Sequence, residues 1–135
     1  MTDKQKNLYF TKDHEWVLVL ENKIARVGIT QYATEQLGDI VFVEVPELET
    51  DVTAEEEIAT VESVKSASEI FTPVTGTIAN VNNELEDNPE LVNESPYEKG
   101  WLAEIQFEDT EELTQLMNQE AYEAYVKELK EEEGQ

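Results

Sequence analysis

The chain has 135 residues, 32 acidic against only 9 basic, for a formal net charge of −23 at neutral pH. That length suits one domain with a modest core, and a hydrophobic share of 39% argues against wholesale disorder. So acidic a surface repels phosphate backbones and anionic membranes and favours partners with basic docking faces, while the absence of cysteine excludes disulfides, thiol catalysis and cysteine-ligated zinc.

The opening MTDKQKNLYF has neither the apolar core of a secretory signal nor the arginine-rich character of a transit peptide. No run of eighteen apolar residues occurs, so a cytoplasmic, bacterial-type location is expected. Trp16–Leu20 reads as a strand, Asn22 as a turn residue and Ile24–Ile29 as the return strand. His14, the only histidine, cannot build a histidine-cluster metal site and reads as structural. Thr30 to Gly38 reads as a short helix: Thr30 is the N-cap, Tyr32, Ala33, Gln36 and Leu37 form its packing face, and Gly38 stops it. Ile40–Val45 reads as an almost continuously buried strand ended by Pro46, and residues 47–57 as an acidic turn region.

The stretch Thr60 to Gly76, TVESVKSASEIFTPVTG, organises the rest. Apolar or β-branched runs at Ile58–Val61 and Ile70–Val74 enclose a short small-and-polar segment, which predicts a β-hairpin with Lys65 at its tip. Most lysines are merely solvated, but this one is scarce in composition and sits where a hairpin presents it most openly. Gly76 is expected to supply a positive φ at the exit turn. Thr77–Val81 alternates as a further strand. Asn82 to Lys99 is a long polar connection, with Asn88 as N-cap and Pro89 at the first position of one helical turn; a loop of this length that carries apolar residues is expected to be packed down. Trp101–Phe107 is the last strand. From Asp109 the period is helical, with Asp109 and Glu112 at capping-box spacing and Leu113, Leu116 and Met117 on one face. Asn118 is a cap for a second segment lined by Ala121, Tyr122, Tyr125, Val126 and Leu129. Residues 1–135 are read as a single domain whose ends, 1–7 and 128–135, fray.

Glu62, Lys65 three residues later and Gly76 eleven beyond it reproduce the spacing of lipoyl-accepting domains. The phrases YFTKDHEWV, ARVGITQYATEQLGDIVFVEVPE, ATVESVKSASEIFTPVTGTIANVN and ELEDNPELVNESPYEKGWLAEI resemble the glycine cleavage system H proteins from about Leu8 to Tyr125. The resemblance implies a mainly β fold, a barrel-sandwich hybrid with a short internal helix and a C-terminal helical segment. It implies lipoate bound covalently on Lys65, with Glu62 and Gly76 recognised during lipoylation. It also implies an arm-docking cleft at Glu15, Ile29, Gln36, Leu37 and Glu69, and no catalytic or metal-ligating residue.

By this resemblance the chain is expected to be a carrier, not an enzyme, and a monomer. It moves the aminomethyl group of glycine from a pyridoxal-phosphate glycine decarboxylase to a tetrahydrofolate-dependent aminomethyltransferase. A dihydrolipoyl dehydrogenase using FAD and NAD restores the disulfide, and a lipoyl/octanoyl transferase or lipoate ligase attaches the arm. The alternative is an H-like lipoyl donor or relay in lipoate metabolism. Two departures stand out: Glu49 and Glu56 replace glycines common in relatives, and Gln36 replaces a histidine found in some, which removes any acid–base role there. A biotin carrier would flank its lysine with methionines, whereas Val64 and Ser66 flank Lys65. Paired carboxylates of the glycosidase kind arise by chance in so acidic a chain, and nothing else supports them.

Overall fold

The computed structural model describes residues 8–133. Its strands are β1 (Leu8–Phe10), β2 (Glu15–Leu20), β3 (Ile24–Ile29), β4 (Ile40–Glu44), β5 (Asp51–Val52), β6 (Glu57–Ser63), β7 (Ala67–Phe71), β8 (Gly76–Val81) and β9 (Ala103–Phe107). The helices are α1 (Gln31–Leu37), α2 (Glu84–Asp87), α3 (Leu91–Glu94) and α4 (Gln119–Glu133), with 3₁₀ turns at Glu21–Lys23 and Thr110–Gln115.

Antiparallel pairing builds two sheets, ordered β1-β2-β3-β9-β8-β5 and β4-β6-β7. Alternation along each strand sends one set of side chains inward. Val17, Val27, Ile29, Ile78, Ile105 and Phe107 from the larger sheet thus meet Val43, Val61 and Ile70 from the smaller in one core. This is the expected barrel-sandwich hybrid. A second cluster, Phe10, Trp16, Leu18 and Tyr122, forms on the other side of the larger sheet, where α4 packs.

The cap residues behave as their chemistry requires. Thr30 accepts from the Ala33 N–H and Gly38 ends α1 at φ 84°. Asn118 accepts from the Ala121 N–H at 2.8 Å. His14 is structural: it bonds the Tyr122 hydroxyl at 2.9 Å and packs among Tyr32, Tyr122 and Tyr125.

Elsewhere tertiary context overrides the pattern. On α1 it is Thr34 that is buried and Gln36 that is exposed, because Thr34 returns its hydroxyl to the Gln31 carbonyl and needs no water. In β4 only Ile40 and Val43 face the core. A register shift between Ile40 and Phe42 turns Val41 and Phe42 outward, to 52% and 46% exposure. Asn88 closes α2 instead of opening a helix, and the next turn, α3, starts two residues later than Pro89. After Asp109 the chain forms a 3₁₀ turn. Asp109 caps it through Glu111, but Glu112 completes no capping box and instead accepts from the N–H and hydroxyl of Thr75. On α4, Ala121 is exposed, while Tyr122, Tyr125, Val126 and Leu129 form the inward side. Residues 128–133 are helical; the fraying expected at 1–7 lies outside the described residues.

The 47–57 region holds β5, and its strained positions are Glu49 (φ 65°) and Glu55 (φ 76°), not Glu56. A non-glycine residue in the left-handed region costs about 1–2 kcal/mol, while glycine adds roughly 0.5–1 kcal/mol of unfolded-state entropy. Glu49→Gly is therefore expected to raise stability by about 0.5 kcal/mol, read as a Tm gain of about 2 °C. A lower Tm would show that Glu49 makes a compensating contact in solution.

Candidate functional site: the lysine hairpin and the Glu15 latch

β6 and β7 pair from Glu57↔Phe71 to Glu62↔Ala67, which places Lys65 in the connecting turn, exposed to solvent. Ser63 builds that turn. Its N–H donates to the Ser66 carbonyl at 2.7 Å, and its Oγ accepts from the N–H groups of Lys65 and Ser66 at 3.2 and 3.1 Å. A small hydroxyl residue at this position satisfies backbone groups that a two-residue turn leaves open. The Val64 N–H reaches across to the Asp39 carbonyl at 3.1 Å. Glu62 lies exposed on the outer face of the small sheet, between Phe42 of β4 and Ala67 of β7.

Gly76 does not lie on the hairpin sheet. It starts β8 in the larger sheet, between Val52 and Phe107. Nor has it a positive φ; among the described residues Gly38 is the glycine that does. The reason for glycine is steric: a Cβ there would stand 2.0 Å from the Gln106 carbonyl oxygen.

Of the remaining sequence-derived site residues, the structure brings Glu15 and Ile29 together as cross-strand partners, both buried. Leu37 is half-buried against the core, and Gln36 is exposed. Glu69 lies on the outer sheet face, where its hydrogen bond with Glu57, then burial and like charge, holds the Glu57 carboxyl above the usual range.

Glu15 is 2% exposed. Its Oε1 accepts from the Thr11 hydroxyl at 3.1 Å and its Oε2 from the Phe71 N–H at 2.9 Å. The carboxylate therefore latches the larger sheet to the end of β7. It borders a groove of about 480 Å³ formed with Lys12, Glu55, Pro73 and Leu116. β7 is an edge strand. Since the Thr72 N–H faces Glu56 and the Phe71 N–H faces Glu15, alternation turns the Ala67 and Glu69 N–H groups to the same open side as Phe71. An unpaired backbone edge thus runs from the lysine turn to Glu15.

Burial raises the Glu15 pKa from 4.5 to about 7, against the lowering effect of its bonds to Phe71 and Thr11. Between these pH values the folded chain holds a proton that the unfolded chain has lost, so this group's stabilising contribution is full below pH 4.5 and declines as pH rises to about 7. The difference amounts to roughly 3 kcal/mol. Glu15→Gln retains an acceptor for Phe71 and does not titrate. The variant is expected to lose less stability than wild type between pH 5 and pH 8 in denaturant melts. Identical pH slopes would show that the carboxyl is solvated in solution.

Sequence reasoning missed Ser63, Asp39 and the Thr11–Glu15–Phe71 latch. Only Ser63 left a local signal, as a small hydroxyl residue two before the lysine.

A solvent-presented lysine at a hairpin tip of a two-sheet barrel-sandwich hybrid defines the class of lipoyl- and biotinyl-carrier-like domains. A family model described as Glycine cleavage H-protein matches residues 8–129. The chain is 53% identical over 123 residues to a glycine cleavage system H protein of Brevibacillus brevis, covering 91% of this chain and 97% of that protein. It is 48% identical over 123 residues to the one of Bacillus subtilis, covering 91% and 96%. A crystal structure of a glycine cleavage system H protein from Mycobacterium marinum superimposes with a TM-score of 0.79 at 34% identity, covering 89% of this chain and 96% of that one. The chain belongs to the glycine cleavage H-protein family.

Proposed function

We propose that this chain is the lipoyl carrier of a bacterial glycine cleavage system, with lipoate held in amide linkage on Lys65. The observation that carries the reading is the exposure of Lys65 on a two-residue turn tied by Ser63, in a chain of this family. The Lys65 amine loses a proton and displaces the leaving group of an activated lipoyl carbonyl. Bound there, lipoate supplies a disulfide that opens to take up the aminomethyl fragment and closes again on oxidation. The chain does no catalysis itself; Lys65 supplies the tether.

The partners are the glycine decarboxylase, the aminomethyltransferase, the dihydrolipoyl dehydrogenase and the attaching transferase or ligase, all in the cytoplasm. Glu62 and Gly76 serve recognition in the attachment step, Glu62 directly from the strand that leads to the lysine. Along the open edge of β7 the arm comes to rest toward Glu15, with Ile29 and Leu37 supporting from beneath and Gln36 and Glu69 at the rim. A buried carboxyl titrating near neutrality ionises readily beside a cation, so Glu15 is suited to hold the ammonium of the cargo.

Incubation with lipoate, ATP and a purified lipoate ligase is expected to add one lipoyl mass increment. The loaded Glu15→Gln protein, kept apart from its partners, is expected to release ammonia several-fold faster than loaded wild type. Equal release would remove Glu15 from the resting site. A chain that is lipoylated but takes no fragment from the decarboxylase would be a lipoyl relay instead.

A further inference from the structure

The long connection between β8 and β9 plays no part in that reading, yet it holds the floor under the lysine. Asn93, in α3, spans the bend between α1 and β4 with both ends of its amide. Its Oδ1 accepts from the Ile40 N–H at 2.9 Å, and its Nδ2 donates to the Gly38 carbonyl at 3.0 Å. A donor and an acceptor on opposite sides fix which way the amide points and explain why the residue is Asn and not Asp.

Between the two clamped residues lies Asp39, whose carbonyl accepts from the Val64 N–H at 3.1 Å. Gly38, left-handed at φ 84°, lacks the side chain that would meet Lys65; the Lys65 Cε lies 3.3 Å from the position a Cβ would take. The backbone of the hairpin tip is therefore bonded to the clamped bend, and the stem of the lysine passes over its glycine. The clamp is itself held. The Asn82 amide donates to the Lys99 and Trp101 carbonyls at 2.8 and 2.9 Å, and the Trp16 indole to the Pro96 carbonyl at 2.9 Å; Tyr97 meets α1 at the helix's other end, away from the bend, where its hydroxyl accepts from the Gln31 N–H at 3.0 Å.

We propose that Asn93 is a positioning residue for the chemistry of Lys65: by fixing the Gly38–Ile40 bend it sets where the hairpin tip stands, and so how fast the lysine amine is acylated. The inference rests on Lys65 being the lipoyl attachment site. Val64 is 69% exposed, so little packing replaces the bend once it moves. A displacement of about 1 Å at a reacting group lowers rates steeply.

The test uses the unmodified full chain with lipoate, ATP and a purified lipoate ligase, following mass gain over time. Asn93→Ala removes both bonds, and Asn93→Asp keeps the one from Ile40 but sets an acceptor against the Gly38 carbonyl. Both are expected to lower kcat/KM for acylation about tenfold and to speed hydrogen exchange of the Val64 amide. Tyr97→Phe, which loosens the same connection away from the bend, is expected to lose stability while keeping the wild-type rate and Val64 protection. If Asn93→Ala fails to fold, Asn93→Asp decides. Wild-type acylation in a folded Asn93 variant, or a loss no larger than in Tyr97→Phe, overturns the inference. Failure of wild type to gain mass overturns the Lys65 assignment itself.

Discussion

Lys65→Arg is expected to give a folded chain that never gains the lipoyl mass. The side chain is exposed at the hairpin tip and makes no ion pair among the described residues, so stability should stay within about 0.5 kcal/mol of wild type. Acylation needs a nitrogen lone pair. An ammonium yields one by losing a proton, whereas a guanidinium keeps its charge under all enzymatic conditions. Intact mass after exposure to lipoate, ATP and ligase reads the outcome directly, since the chain has no cysteine to take up thiol adducts. A lipoyl increment on the variant would move the attachment site to another lysine, and the proposed function would lose its tether.

Gly76→Ala is expected to cost about 3 kcal/mol, a Tm loss on the order of 10 °C. The cause is contact distance. The added carbon would stand 2.0 Å from the Gln106 carbonyl oxygen and 2.8 Å from its carbonyl carbon; both are backbone atoms that cannot turn aside, so the start of β8 must lift away from β9. The variant also separates two roles for this glycine. If lipoylation per folded molecule stays at the wild-type rate at low temperature, Gly76 serves the sheet alone. If it falls further than folding does, the attaching enzyme reads this position as well. A Tm within a degree or two of wild type would show that the strands separate at no cost.

The sequence by itself determined what short-range physics sets: strand positions from alternation, the hairpin from two β-rich runs, α1 from Thr30 and Gly38, and α4 from Asn118. These depend on neighbours within a few residues, which a linear pattern contains. Lys65 belongs with them, because the same local pattern that makes the hairpin makes its tip. The resemblance, carried by several ordered phrases, supplied the chemistry of that tip.

Only the tertiary structure decided which residues meet across distance. Gly76 looks like a turn glycine in the chain and is a spacing glycine in the sheet, because its constraint comes from Gln106, thirty positions on. Nothing near Glu15 in the chain announces its partner. Glu15 is buried because Phe71, on a strand of the other sheet, needs an acceptor for its N–H, and that burial raises the carboxyl pKa. Val41 and Phe42 lie outside because a register shift, invisible in an apolar run, turns them from the core. Asn93 carried no signal at all: its two bonds reach Gly38 and Ile40, more than fifty residues away. Local patterns fix where a side chain sits on its own element; satisfying buried donors and acceptors, and the space between strands, are properties of the assembled pair of sheets.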